Sequence, residues 1–127
     1  MNIKNLKIME GYSEEHKEFV ANVYSFLTNQ TNTDKIYNIQ FSDDVANTLN
    51  KINVDYATLC AALIYPFMHV NAVTNEELEK LANPDVLMIL NQIKKIESVN
   101  MTTREEQAQN VKNLFIALAK DMRVVIA

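Results

Sequence analysis

Residues 61–69 have the sequence AALIYPFMH, and this stretch decides how the centre of the chain is expected to fold. Its apolar residues continue a helical pattern that begins just after Asn53, a residue type that can cap a helix. Pro66 has no N–H group, and its ring collides with the carbonyl four residues earlier. We therefore predict a buried helix over 54–65 that ends or kinks near Tyr65.

Helical periodicity also occurs on both sides of this central stretch. Polar N-cap residues precede each apolar pattern, and the predicted helix starts are Ser13, Ser42, Asn53, Thr74, Asn83 and either Thr102 or Thr103. The core-facing positions predicted on these helices are Phe19, Val20, Val23, Phe26, Leu27, Val45, Leu49, Ile52, Val86, Ile89, Ile93, Ile96, Ala108, Val111, Phe115, Leu118, Met122 and Val125. The polar segment 29–40 is predicted to be a loop.

The composition favours an all-α fold. The 127 residues include one glycine and two prolines, and hairpins and phosphate-binding loops need positive-φ positions that glycine supplies most easily. A single glycine also excludes the glycine-rich motifs of dinucleotide, P-loop and α/β-hydrolase sites. We predict one domain over 1–127, an all-α bundle of about six helices.

The charge and the cysteine count limit the partners and the compartment. The formal net charge is −4 and the pI is about 5.1, so the chain has no general attraction to nucleic acid. Cys60 is the only cysteine, which excludes an internal disulfide and a thiolate metal cluster. The N-terminus lacks the apolar core of a signal peptide, and no run approaches the ~20 apolar residues of a membrane span. We expect a cytoplasmic protein without a membrane partner.

Few residues suggest chemistry on their own. His16 and His69 are the two histidines, and a lone imidazole falls short of the three or four ligands of a stable metal site. His16 is predicted to be exposed on the polar side of the first helix. Cys60 is predicted to be a small buried apolar residue, since no base is nominated beside it.

The acidic groups of the chain are better explained by helix capping than by paired-carboxylate catalysis. They occupy first helical turns, where the helix dipole stabilises negative charge by about 0.3–1 kcal/mol each. These residues are Glu76, Glu77, Glu79, Glu105 and Glu106. The apolar end Val124–Ala127 lacks a helix stop signal, so we expect more protein to follow it. Exposure of apolar positions such as Val125 could then favour a homodimer.

Three stretches resemble the N-terminal region of the RelA/SpoT family, the enzymes that make and destroy the alarmone (p)ppGpp. YATLCAALIYPFMHVNAVTNEELEKLANPDVLMILNQIKKI (56–96) is similar to the run in which an Ala-Ala-Leu-Leu-His-Asp helix end precedes a threonine-capped helix. NVKNLFIALAKDMRVVIA (110–127) is similar to the family's Asn-x-Arg-Lys stretch, and IYNIQFSDDVANTL (36–49) more weakly to its Pro-Tyr-x-x-His-Pro segment. The resemblance implies an HD-type helical fold.

The resemblance also implies where a metal site would lie. The family's hydrolase holds its metal with a His, a His-Asp pair and a later Asp. The first His falls on Phe41, the pair falls on Tyr65 and Pro66, and the last Asp falls a few residues beyond Ala127. Phenylalanine and proline offer no side-chain ligand to a divalent cation, and tyrosine ionises only near pH 10.

The other functional positions are altered as well. The acidic pair that follows the His-Asp in active hydrolases falls on His69 and Val70, and the basic substrate-binding segment falls on 29–38, where Lys35 is the only basic residue. The resemblance therefore implies an inactive domain without a catalytic residue, metal or cofactor.

An aromatic-proline pair in place of His-Asp resembles the RelA-type branch. This implies a parent GTP pyrophosphokinase that moves pyrophosphate from ATP to GTP or GDP on stalled ribosomes. The partners would be a downstream synthetase domain, which this domain helps to regulate, and the ribosome through the parent protein. Two alternatives stay open: a residual metal-dependent phosphohydrolase around His69, and a stand-alone helical adaptor.

Overall fold

A computed structural model of the chain describes residues 3–30, 34–52, 54–97, 106 and 108–117. Within these ranges the fold is all-α, as predicted, and two short 3-10 helices, Ile3–Asn5 and Lys7–Gly11, precede the first α-helix. The α-helices are α1 (Glu14–Thr28), α2 (Ile39–Asn50), α3 (Tyr56–His69), α4 (Asn75–Leu81) and α5 (Pro84–Glu97), and a further helix, α6, covers 108–117.

Helix α3 forms the centre of the bundle. Its residues from Ala57 to Phe67 are all buried, because the helix is apolar on every face and packs against α1, α2 and α5. Alanines at positions 57, 61 and 62 are at most 3% exposed. Small side chains of this kind let neighbouring helices approach closely, so the quoted central stretch does form the core.

Pro66 suggested that helix α3 ends or kinks near Tyr65, but the helix does not end there. It continues through Pro66 to His69, and the stop signal is Asn71, which has a φ of 58°. The N–H of Ala72 donates to the carbonyl of Phe67 at 2.8 Å, the bond of a Schellman motif. Packing on several sides of α3 outweighs the hydrogen bond that proline removes.

The start of α3 also differs from the prediction. Asp55 is the N-cap, and its side chain accepts a hydrogen bond from the N–H of Thr58 at 3.2 Å. Asn53, the predicted cap, lies outside the described residues. Both residue types cap helices well, so the sequence alone could not choose between two positions this close together.

Helix α2 begins three residues before the predicted start at Ser42. Asn38 caps it by accepting hydrogen bonds from the N–H groups of Gln40 and Phe41 at 3.0 and 3.1 Å. Ser42 lies inside the helix and is fully buried. Its hydroxyl donates to the backbone carbonyl of Leu63 in α3 at 2.8 Å. The residue predicted as a cap therefore links two helices.

The predicted loop over 29–40 is confirmed for 29–30 and 34–38, and it is wrong for the first two residues of α2; residues 31–33 lie outside the described ranges. Its described part is ordered by Asp34, whose Oδ1 accepts from the N–H groups of Ile36 and Tyr37 at 2.9 and 2.8 Å. This is an Asx turn, in which a short polar side chain replaces a backbone partner. It directs Tyr37 into the core, where the residue is fully buried.

The remaining caps are confirmed where the structure describes them. Ser13 caps α1, and Thr74 and Glu77 form both hydrogen bonds of a capping box at the start of α4. Asn83 accepts from the N–H of Val86 at 3.0 Å, just before Pro84 opens α5. Each of these caps uses residues close together in the sequence, so the caps could be predicted from the sequence alone.

The predicted core positions are largely buried. Phe19 and Phe26 are partly buried, and Ile52 lies partly buried in the turn after α2. Several predictions fall outside the residues or side chains that the structure describes: Thr102, Thr103, Glu105, Leu118, Met122, Val125 and the side chain of Ile96.

Among the described helices, none is both long enough and apolar enough to cross a membrane.

Candidate functional site

Five aromatic side chains pack together where the C-terminal half of α3 meets α2 and α6. We call this group the aromatic cluster, and its members are Tyr37, Phe41, Tyr65, His69 and Phe115. The first three and Phe115 are at most 5% exposed, and His69 is partly buried. The cluster brings together three residues that the sequence analysis singled out.

Tyr37 lies at the centre of the cluster. Its ring stacks on the imidazole of His69, with centroids 4.1 Å apart and an interplanar angle of 22°. The same ring lies 5.2 Å from the ring of Phe41 and 6.4 Å from that of Tyr65. Aromatic pairs at such distances contribute about 0.5–1.5 kcal/mol beyond the area that they bury.

Tyr65 connects α3 to α6. Its ring centroid lies 6.0 Å from that of Phe115 in an edge-on arrangement at 74°, and 5.7 Å from that of His69. Its hydroxyl oxygen is buried and has no hydrogen-bond partner among the described residues. A buried hydroxyl of this kind costs about 1–3 kcal/mol in lost hydration.

The structure places each predicted site residue in or beside the cluster. Phe41 and Tyr65 are members of the cluster, and the ring of each contacts that of Tyr37. Pro66 follows Tyr65 in α3 and is buried. His69 is the last residue of α3 and Val70 is its C-cap. The three metal-ligand positions and the two acidic-pair positions that the resemblance assigned are thus close in the fold.

The side chains present do not fit a resident divalent cation. Such a cation needs carboxylate or imidazole ligands, and the predicted ligand positions hold a phenyl ring, a phenol and a prolyl ring. Over the described part of the chain, no group of three or more histidine, cysteine, aspartate or glutamate residues could hold a metal ion. At the positions that the resemblance assigns to metal ligands, the side chains of Phe41 and Tyr65 pack against other aromatic rings.

Two members of the cluster were not predicted from the sequence to lie at the site. Tyr37 lies in a segment predicted to be a polar loop, and the only sequence signal was an aromatic residue three positions after Asp34. Phe115 was predicted as a core residue of the last helix, which is confirmed by its full burial. Its position against Tyr65 is a contact between residues distant in sequence.

The other histidine lies at the opposite end of α3. His16 was predicted to be exposed, but it is half-buried, and its ring stacks on that of Tyr56 with centroids 3.7 Å apart and an angle of 17°. Tyr56 is the first residue of α3, whereas His69 is the last. The prediction of an exposed His16 was wrong because its stacking partner, Tyr56, lies 40 residues away in the sequence.

Cys60 is fully buried in α3, as predicted for a small apolar residue. Burial raises the pKa of its thiol far above the ordinary value, and the negative charge of Asp55 raises it further. The thiol therefore stays protonated at neutral pH, which removes the thiolate that a cysteine nucleophile requires.

The prediction that the acidic residues occupy first helical turns is confirmed for Glu76 and Glu77 and is wrong for Glu79, the fifth residue of α4. Glu77 completes the capping box of α4, and Glu76 lies exposed in the same first turn. Glu79 is exposed in the middle of α4. Glu106 is exposed and helical, two residues before the described stretch 108–117 of α6, and Glu105 lies outside the described residues. None of these carboxylates belongs to the aromatic cluster.

The sequence profile of the HD domain family matches residues 17–127, so the chain belongs to that family. The chain is also similar to proteins of RelA/SpoT type, at 25–28% identity. A protein named GTP pyrophosphokinase rsh, from Brucella ovis, is 25% identical over 84 residues, which are 65% of this chain and 11% of the relative. No solved structure matches the chain.

Two further relatives have related names. A GTP pyrophosphokinase from Myxococcus xanthus is 28% identical over 87 residues, which are 65% of this chain and 12% of the relative. The bifunctional (p)ppGpp synthase/hydrolase SpoT of Escherichia coli is 28% identical over 83 residues, with the same coverage of each chain. The chain thus spans about a tenth of the length of these relatives.

Proposed function

We propose that this chain is a catalytically inactive HD domain, over 1–127, of a RelA-type enzyme. The parent enzyme is cytoplasmic and synthesises (p)ppGpp by moving pyrophosphate from ATP to GTP or GDP on the ribosome. The HD domain regulates the synthetase domain of the same polypeptide and binds neither metal nor nucleic acid itself. The observation that carries this proposal is the aromatic cluster, in which Phe41 and Tyr65 stand at the positions assigned to metal ligands.

The chemistry of phosphoester hydrolysis supports an inactive domain. A metal-dependent hydrolase uses its cation to make hydroxide from water near neutral pH and to stabilise charge on the phosphoryl oxygens. In this chain the corresponding positions carry rings that contact one another, and the acidic-pair positions carry His69 and Val70. No carboxylate belongs to the aromatic cluster, and the described residues contain no group of three or more possible ligands that could hold a cation.

A second candidate is a residual metal-dependent (p)ppGpp phosphohydrolase. Two observations favour it: the E. coli relative is named a hydrolase as well as a synthase, and His69 lies in the cluster. One imidazole supplies one ligand, and a stable site needs three or four. We therefore place this candidate second.

Incubation with manganese and the pentaphosphate alarmone separates the two candidates. We expect no pyrophosphate release above a protein-free blank, with the E. coli bifunctional relative as the positive control. Metal-dependent turnover would overturn the proposal. Loss of that turnover in His69→Ala would then identify the residual hydrolase, and retention of turnover in the same variant would point to a contaminating enzyme.

The regulatory role is tested separately by the gene. A reading frame that continues past Ala127 into a synthetase domain agrees with a module of a larger enzyme. A stop codon at this point would favour the stand-alone helical adaptor, and self-association of the chain, measured by light scattering, would then become the relevant partner test.

A further inference from the structure

The segment that precedes α1 covers one side of the core with two short 3-10 helices. We call residues 3–12 the strap. Four of its apolar side chains are at most 8% exposed: Ile3, Leu6, Ile8 and Met9. The strap belongs to no α-helix, and it precedes residues 17–127, which the HD profile matches. It therefore covers the core from outside the part of the chain that the family match includes.

Two side chains connect the strap to the end of α2 and the residues that follow it. The N–H of Ile8 donates to Oδ1 of Asn50, the last residue of α2, at 2.7 Å. The hydroxyl of Tyr12 donates to the carbonyl of Val54, just before α3, at 2.7 Å. Both acceptors lie within five residues of each other in the sequence, so the strap is fastened to one region of the bundle.

The backbone hydrogen bonds within the strap span three residues instead of four. The N–H groups of Leu6, Met9 and Tyr12 donate to the carbonyls three positions earlier, at 3.3, 3.0 and 3.1 Å. Such bonds have poorer geometry than those of an α-helix, and a segment of this kind can open at a lower free energy than the helices it covers. Because α1 begins at Glu14, opening of the strap breaks no α-helical turn.

Cys60 lies close to the strap, on the side of α3 that faces α1. It follows Tyr56 by one helical turn, and the ring of Tyr56 stacks on that of His16 in α1. Burial raises the pKa of the Tyr12 phenol, and the nearby Asp55 and Cys60 raise it further. Cys60 is fully buried and is the only thiol of the chain. Its reactivity therefore reports whether the strap is in place.

We propose that the strap is a gate, which opens as a unit while the α-helices stay folded and thereby exposes the thiol of Cys60 to solvent. The bonds from Ile8 and Tyr12 break together in this opening, because their acceptors lie in the same region. Hydration then makes the thiolate easier to form, so the open state is the reactive one. The inference does not depend on the loss of hydrolase activity, since the strap shares no residue with the aromatic cluster.

The test follows the reaction of Cys60 with 5,5′-dithiobis(2-nitrobenzoate), without urea and at urea concentrations below the unfolding transition. We expect the rate to rise with urea much less steeply than global unfolding does, because opening of the strap exposes little surface. Tyr12→Phe and Asn50→Ala each remove one hydrogen bond of the strap and should accelerate the reaction about fivefold. Ser42→Ala removes a bond between α2 and α3 instead, so it should leave the rate unchanged.

Equal acceleration in Ser42→Ala and in the strap variants would overturn the proposal, because Cys60 would then be exposed by unfolding of the whole bundle. A rate that neither strap variant changes, or no reaction until the bundle unfolds, would overturn it as well.

Amide hydrogen exchange of the unaltered protein gives an independent measurement. We expect the N–H groups of Ile8 and Tyr12 to exchange with one common protection factor, at least about tenfold below that of Leu63 in α3. Equal protection of the strap and α3 would contradict a gate that opens separately from the helices.

Discussion

Tyr65→Ala is expected to lower the free energy of unfolding by about 3–5 kcal/mol. Tyr65 is 1% exposed, and its ring contacts Tyr37, His69 and Phe115, so its removal leaves a cavity at the junction of α2, α3 and α6. Urea denaturation followed by far-UV circular dichroism measures the change. A loss below about 1 kcal/mol would contradict the packing role of this ring.

Tyr65→Phe is the matched control, because it removes only the hydroxyl group. That oxygen is buried without a hydrogen-bond partner among the described residues. We therefore expect the free energy of unfolding to stay constant or to rise by up to about 1 kcal/mol. A loss of about 2 kcal/mol or more in this variant would mean that the hydroxyl has a partner that stabilises the fold.

Pro66→Ala is expected to raise the free energy of unfolding by about 1–3 kcal/mol. Pro66 lies inside α3, three residues before its end, so alanine restores an N–H group for the carbonyl of Ala62 and relieves the ring contact. The same urea series measures this change. A decrease would mean that the prolyl ring packs more favourably than the restored hydrogen bond.

Pro66→Asp is the informative partner of that variant, since aspartate is the residue that the resemblance places there. We expect it to be about 3–5 kcal/mol less stable than Pro66→Ala at pH 7, because position 66 is buried and no lysine or arginine belongs to the aromatic cluster. Burial raises the pKa of the introduced carboxyl, so the penalty should shrink as the pH falls and the group becomes protonated. Recovery of stability on adding manganese would contradict the account, since it would reveal a working metal site.

The parts of the fold that were predictable depend on signals local in sequence. The capping box at Thr74 and Glu77 and the cap at Asn83 use hydrogen bonds between residues three apart, and all are found as expected. Pro66 misled the prediction because a local penalty was outweighed by packing around α3. The true end signal, Asn71, was available but weaker than the proline.

The candidate site was predictable only through the resemblance, which nominated Phe41, Tyr65 and His69. Tyr65 and His69 contact each other within α3, whereas Phe41 is linked to them through Tyr37, which the Asx turn at Asp34 directs into the core and which stacks on His69. Periodicity does not report contacts between residues so distant in sequence. For the same reason, Ser42 was taken for a cap when it bonds to α3.

Crystals grown with manganese, measured at a wavelength where manganese scatters anomalously, test the central claim most directly. The account predicts no anomalous peak within coordination distance of Tyr65 or His69, with the five rings of the aromatic cluster in direct contact. A strong peak at this place, from a manganese ion bound by protein side chains, would contradict the account. It would indicate that the domain is a metal-dependent hydrolase.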